Sequence, residues 1–376
     1  MSRYLRPLIV PAGAIALSLV VGAIVIWLTS PLVTRGGFDL MLPFTTYWAL
    51  IRGSLLSVNA LVDTAVQAAP LILVGLAVGL PFKAGLFNIG GQGQLLAGAV
   101  TAAAVGAMMS NSDPLVAVPA VLLVGMLAGA LYGFLPGFLK AYTGAHEVVT
   151  TIMLNYVGIQ IVAWAITGPL RDPASSFARS GDVGNAALPA LFNAGGGHEA
   201  HLGILLPVVA VPLLWWLLYR STIGFEIRTV GANPDAARYA GMKPRRLVIF
   251  AMTLAGALAG LAGSVQIAGE IHYMTAAYST NIGFAAITVA LLGRAHPIGI
   301  LFAGLLLGGM QAGARLMQVE AGVPLQMVDL LQGVILFFLT AELIVRYVFR
   351  VRAQTGGLVE EVQTVTRTYG GQTTAP

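Results

Sequence analysis

Three stretches of this chain hold polar residues whose types and spacing could do chemistry. In "GLFNIGGQGQLLAGA", Gly85–Ala99, one Asn, two Gln and five Gly fall within fifteen residues of a strongly apolar region. Glycine permits φ > 0 and close backbone approach, and Asn88, Gln92 and Gln94 each offer donors and an acceptor. Irregular backbone at membrane depth is tolerated where it lines a cavity or is buried in protein. One reading is a bent or partly unwound start to a helix beside a translocation path. The other is close helix packing through small residues, with amides tying helices together. In "HEVVTTIMLNYVG", Glu147, Thr151 and Asn155 recur at i, i+4 and i+8, which gives one polar face on an apolar helix. That face either lines a pathway or bonds to a neighbouring helix. In "GANPDAARYAGMKPRR", Gly231–Arg246, Asn233-Pro234 signals a helix start. "DAARYAG" then makes a short helix ended by Gly241, and Pro244 blocks its continuation. A short helix between two spans suits a docking element; the alternative is a basic loop at the lipid headgroups.

The elements that must position these residues follow from composition. Of 376 residues, 57% are hydrophobic and 9% charged, against about a quarter charged in a soluble domain. The apolar residues fall in windows of roughly twenty, the length that crosses about 30 Å of hydrocarbon as a helix. The expected fold is all-α, a polytopic helical membrane protein of about ten transmembrane helices. The expected spans are Leu8–Leu28, Leu61–Leu80, Leu86–Met109, Leu115–Leu139, Val148–Thr167, Leu202–Tyr219, Leu247–Ala268, Ile282–Leu292, Ile298–Leu316 and Met327–Val345. Ile282–Leu292 is short enough for a broken or re-entrant helix. The first window is long for a signal-peptide core and reads as a retained helix.

Lys and Arg accumulate on the cytoplasmic side of membrane proteins. With the N-terminus inside, fifteen of the twenty Lys and Arg residues fall on inner segments and five on outer ones. Both termini are therefore expected in the cytoplasm. Residues 1–350 form one transmembrane domain, with an outer loop at 168–201 rich in Gly, Pro and Ser and an inner loop at 220–246 holding six Lys and Arg. Residues 351–376 read as a polar, disordered cytoplasmic tail. A weak internal echo links "GLAVGLPFKAGLFNIGGQGQ" to "AITVALLGRAHPIGILFAGL".

Several chemistries lack their motifs. The chain contains no G-x-x-x-x-G-K-[ST], H-E-x-x-H or G-x-S-x-G, so no nucleotide loop, zinc helix or nucleophile elbow is expected. "HEAH", His198–His201, is one residue short of the zinc spacing and sits in a Gly-rich loop. There is no cysteine, hence no thiolate metal site, and no long basic run suggests nucleic acid. Ionisable groups at the bilayer centre cost roughly 2.5–3.5 kcal/mol. Asp63, Asp329 and Glu342 lie near expected helix ends, where they reach the interface, and Glu147 suits a helix N-terminus. No carboxylate is stranded at mid-span, which argues against an ion-driven carrier.

Together, "GLFNIGGQGQ", "HEVVTTIMLNYVG" and "GANPDAARYAGM" resemble the ABC-importer permeases of the branched-chain amino acid, ribose and nucleoside group, and within it the nucleoside and simple-sugar branch. The resemblance covers roughly Ala69–Ala341. It implies a permease of the bacterial cytoplasmic membrane that needs no cofactor of its own. Its partners would be a cytoplasmic ATPase that uses the ATP, a second homologous permease subunit in a heterodimer, and an extracytoplasmic solute-binding lipoprotein. It assigns Gly231, Asn233, Pro234, Ala236, Ala237, Tyr239 and Gly241 to a loop resting in a groove of the ATPase. It places Phe87, Asn88, Gly90 and Gln92, with Glu147 and Asn155, near the solute path, where Gln94 and Thr151 join them by spacing. The family often carries Glu where this chain has Gln92, so a charge-dependent role there is in doubt while a hydrogen-bonding one survives. The competing readings are a self-sufficient secondary transporter and an ABC permease for branched-chain amino acids or a pentose. An intramembrane enzyme has no motif in its support.

Overall fold

A computed structural model describes residues 9–34, 36–195, 197–275, 278 and 281–348. The basic N-terminal flank at Arg3 and Arg6 and the tail at 351–376 lie outside these residues. The longest apolar windows fold as helices because only a helix satisfies its own backbone where water is absent. The innermost of them is α3, Val58–Lys83. Ser57 starts it by accepting the Ala60 N–H at 3.0 Å, and every residue from Ala68 to Pro81 is buried. At 1.5 Å per residue, its 26 residues span about 39 Å.

The remaining helices wrap this rod. Before it come α1, Ile9–Thr34, and α2, Leu42–Leu55. After it come α4, Gly91–Met108; α5, Pro114–Thr143; α6, Glu147–Thr167; α7, Leu205–Arg220; α8, Thr222–Ala232; and α9, Pro234–Tyr239. The last five are α10, Pro244–Gln266; α11, Ile282–Leu292; α12, Pro297–Ala321; α13, Gln326–Thr340; and α14, Glu342–Val348. Helix α10 packs against α3, α4 and α5, while α12 packs against α2 and α3, and α1 against α13. Among the described residues seven helices are long and apolar enough to cross a membrane: α1, α3, α5, α6, α7, α10 and α12. Helices α11 and α13 are shorter apolar segments.

The structure departs from the sequence expectation in four places. The expected span Leu86–Met109 is helical only from Gly91, and the chain between Ala84 and Gly90 turns without helix. The expected span Met327–Val345 breaks at Ala341, where α13 ends. Glu342 then begins α14, buried rather than reaching an interface, at a helix N-terminus whose dipole favours a carboxylate. Helix α2 fills what had read as a connection, and Arg52 within it pairs with Glu320 of α12. The loop at 168–201 carries an antiparallel hairpin of β1, Ala190–Asn193, and β2, Glu199–His201. That loop is stitched inward, with Leu188 N–H donating to Ala268 O at 2.7 Å and Val183 N–H to His272 O at 2.9 Å.

Candidate functional site

The polar residues of the first two motifs meet in one buried hydrogen-bonded clip. The turn after α3 needs Gly85, whose φ of +74° suits glycine. Phe87 packs against Phe82 with the rings tilted by 53° and their centroids 4.5 Å apart. Asn88 is fully buried; its Nδ2 donates to Gln94 Oε1 at 3.0 Å and to Ala77 O at 3.2 Å. Its Oδ1 accepts from Gln94 Nε2 at 3.2 Å and from the Gly90 N–H at 3.1 Å. Asn155 reaches across from α6: Oδ1 accepts the Gly93 N–H at 2.8 Å, and Nδ2 donates to Ile89 O at 2.9 Å. Gln92 holds the start of α11, its Oε1 accepting the Gly283 N–H at 2.9 Å. A glutamate carboxylate would offer the same acceptor there, so this bond does not depend on a charge.

Thr151 is buried beside Gly90, its hydroxyl donating to Glu147 O at 2.7 Å. Glu147 opens α6 in a buried ion pair with Lys140 of α5, 2.9 Å apart, with side chains only 6% and 8% exposed. The partner explains how this carboxylate is kept in a dry place, and sequence reading missed it because Lys140 sits on a different helix. Breaking such a pair leaves a buried charge uncompensated.

Asn155 is the cleanest probe of the clip. Leucine in its place orphans a buried N–H at Gly93 and a carbonyl at Ile89, each costing about 1–3 kcal/mol. The detergent-purified Asn155→Leu protein is expected to melt several degrees lower than wild type, measured by intrinsic fluorescence, with Asn155→Asp in between because it keeps the acceptor.

The third motif folds as its residues dictate. Asn233 caps α9, its Oδ1 accepting the N–H groups of Asp235 and Ala236 at 3.0 Å each, and Pro234 occupies the first turn. Gly241, at φ +83°, turns the chain beyond it. Ala237 is buried and seats the helix, whereas Tyr239 is 95% exposed. Helix α8 enters from Ser221, whose Oγ accepts the Gly224 N–H at 3.0 Å, and buries Gly224, Ile227 and Val230 on one face. Just before α9, Gly231 lies backbone to backbone on the turn at Gly85. A Cβ there would run into Lys83 O and stand 2.9 Å from Gly85 N. The exposed helix and the buried clip therefore share a joint.

A cavity of about 510 Å³ opens at the other end of α3, bounded by Gln67, Glu270, Gln311, Arg315 and Asp329 among others. Gln67 precedes Lys83 by sixteen residues of continuous helix, about 24 Å, so the cavity and α9 occupy opposite halves of the molecule. None of the eight residues assigned to the path borders it. His198, from "HEAH", holds Asp63 at 2.8 Å. His201 turns its ring inward, its Nδ1 accepting the Gly203 N–H at 3.1 Å. Burial, then the neighbouring His272, lowers the His201 pKa to about 4, so it stays neutral at ordinary pH. Among the described residues no three His, Cys, Asp or Glu side chains gather as metal ligands would.

Residues 60–340 match the family described as the branched-chain amino acid transport system / permease component. Three relatives align along most of their length. The guanosine ABC transporter permease protein NupP of Bacillus subtilis is 36% identical over 349 residues, 93% of this chain and 97% of that protein. The glucose ABC transporter permease protein TsgB13 of Haloferax volcanii is 36% identical over 315 residues, 81% of this chain and 82% of that protein. The nucleoside ABC transporter permease protein NupB of Lactococcus lactis is 33% identical over 355 residues, 92% of this chain and 94% of that protein. No solved structure matches the chain significantly.

Proposed function

We propose, from the premise that this chain belongs to the family of branched-chain amino acid transport system permease components, that the solute it carries is a nucleoside, with a simple sugar as the second candidate. The chain is a multi-pass membrane protein and the permease subunit of an ABC importer. The choice of nucleoside is supported by two relatives of similar length whose names carry that substrate, and that of sugar by a third.

The observation that carries the mechanism is α9. It is a rigidly capped helix with one large side chain, Tyr239, standing free, and it is joined through Gly231 to the turn that feeds the clip. Helix α9 rests in a groove of a cytoplasmic ATPase, which binds and hydrolyses the ATP. When the ATPase closes, α9 moves, the Gly231 joint carries that motion into the Gly85–Gly90 turn, and α3, α4, α6 and α11 tilt as a unit. The clip residues Asn88, Gln92, Gln94, Thr151 and Asn155 hold those helices together during the stroke. Phe87, Gly90 and Glu147 belong to the same joint.

The Lys and Arg bias supports a cytoplasmic α9 and cytoplasmic termini, with α4, α11 and α13 completing ten crossings alongside the seven longer spans. The protein resides in a bacterial cytoplasmic membrane. It pairs with a second, different permease subunit and receives solute from an extracytoplasmic binding lipoprotein.

Uptake of radiolabelled guanosine by cells that carry the whole system tests this reading. Import is expected to persist when a protonophore collapses the ion gradient while ATP is maintained, and to vanish when ATP is depleted. Loss with the gradient alone would return the reading to a secondary carrier.

A further inference from the structure

The cavity beside the outer half of α3 has walls that are already braced. Asp63 holds His198 at 2.8 and 2.9 Å. Glu270 Oε1 accepts from Gln67 Nε2 at 2.7 Å, and Glu199 Oε1 accepts from Asn193 Nδ2 at 2.6 Å. Three of its four carboxylates are thus committed to the protein. Three polar side chains are not: Gln311 and Arg315, four residues apart on one face of α12, and Asp329 in the first turn of α13 line the cavity. None of the three has a hydrogen-bond or ion-pair partner among the described residues. His272 stands at the rim with φ +65°. Backbone of that kind is strained in a non-glycine residue and clusters at ligand sites. Its Nδ1 is also buried without a partner.

We infer that this cavity is a binding subsite for the carried solute, with Arg315 and Asp329 as its binding residues, Gln311 beside them, and a purine nucleoside bearing a guanine edge as its ligand class. The inference rests on the nucleoside reading above. The chemistry is that of a guanidinium donor fork and a carboxylate acceptor lining one cavity. A guanidinium pairs in two-point fashion with adjacent O6 and N7 acceptors, and a carboxylate accepts from ring and exocyclic N–H groups. Guanine presents both sets on one ring system. Adenine replaces the O6 acceptor with an amine and loses the match to Arg315. A small zwitterion such as leucine satisfies the two charges but leaves most of the volume empty, because pockets of about 300–1,000 Å³ take drug-sized ligands. A phosphorylated nucleoside brings its anion among four carboxylates and is excluded. With α9 on the cytoplasmic side, the cavity opens outward, where a binding protein delivers its solute.

The assembled importer, purified in lipid nanodiscs without the binding protein, provides the test by equilibrium dialysis with tritiated guanosine. Competitors are adenosine, guanosine monophosphate and leucine. Guanosine is expected to bind, and unlabelled guanosine to displace it far better than the other three. Arg315→Gln and Asp329→Asn are each expected to weaken binding about tenfold at an unchanged melting temperature. Gln311→Leu is a third probe should either variant melt early. Binding that is absent, or unaffected by all three substitutions, while the complex still imports guanosine overturns the subsite and leaves the permease reading standing. Displacement by leucine as effective as by guanosine overturns the ligand class. Failure of guanosine import altogether overturns the nucleoside reading and the subsite with it.

Discussion

Valine in place of Gly260 is expected to leave almost no folded permease to purify. Gly260 sits where α4, α5 and α10 cross with their backbones in contact. A Cβ on it would collide with Gly125 O and come within 2.8 Å of Gly129 Cα. The relation is reciprocal: a Cβ on Gly129 would strike Gly256 O, and one on Gly98 would strike Gly260 O. None of these obstacles is the movable end of a side chain, so relief requires whole helices to separate. Helices in lipid associate through close packing and interhelical hydrogen bonds, without a hydrophobic drive between them. A backbone shift at such a crossing removes the packing of three helices at once. Overpacking typically costs about 1–3 kcal/mol where side chains can yield, and more is expected here, out of a net stability of about 5–15 kcal/mol. The control is Gly333→Val on α13, where an added Cβ meets nothing within 4 Å. Monodisperse yield by fluorescence-detected size exclusion is expected to be near wild type for Gly333→Val and at least tenfold lower for Gly260→Val. Equal yields would show that the α5–α10 contact is looser than the structure has it.

Valine in place of Gly231 is expected to separate ATP hydrolysis from transport. Gly231 touches the turn after α3 through backbone alone, so a side chain there pushes α8 and α9 away from Lys83 and Gly85. Ala237 still seats α9 and Tyr239 still projects, so the ATPase is expected to bind. What is lost is the rigid link between its movement and the clip. Import of guanosine is expected to fall at least tenfold, about 1.4 kcal/mol or more of coupling, while ATPase activity in the purified complex stays within about twofold of wild type. Gly231→Ala, with a single methyl, is expected to fall between. Full import by Gly231→Val would show that the stroke enters the membrane domain by another route.

Local chemistry made some of this visible in the sequence and hid the rest. Helix α9 was legible because its cap, its proline and its terminating glycine lie within nine residues and each has one strong conformational preference. The spacing of Glu147, Thr151 and Asn155 identified a polar face, but not that Asn155 would bond Gly93, 62 residues away. Lys140 lies one residue past the expected span Leu115–Leu139, and its pairing with Glu147 depends on how α5 and α6 meet. Helix α2 escaped because fourteen residues containing Arg52 and Ser54 do not resemble a span. Helix α8 was absorbed into a basic loop, although its buried Gly224, Ile227 and Val230 recur every three residues. The glycines of α5 and α10 carry no local signal of their role, since their meaning lies in which helix faces which. The cavity beside the first half of α3 was the least legible feature, built from α3, β2, the turn after α10, α12 and α13.

The central claim is that α9 binds an ATPase, and its most direct test is a detergent pull-down of the tagged protein from its native membranes. Tyr239→Arg is the informative variant, because the side chain is exposed and its loss leaves the fold intact. Substituting the buried Ala237 would disturb the seat of the helix itself. The account predicts that an ATPase and a second permease subunit co-purify with wild type, and that Tyr239→Arg keeps the permease and loses the ATPase at an unchanged melting temperature. An ATPase retained in full by Tyr239→Arg, or absent from wild type under conditions that preserve membrane complexes, would contradict it.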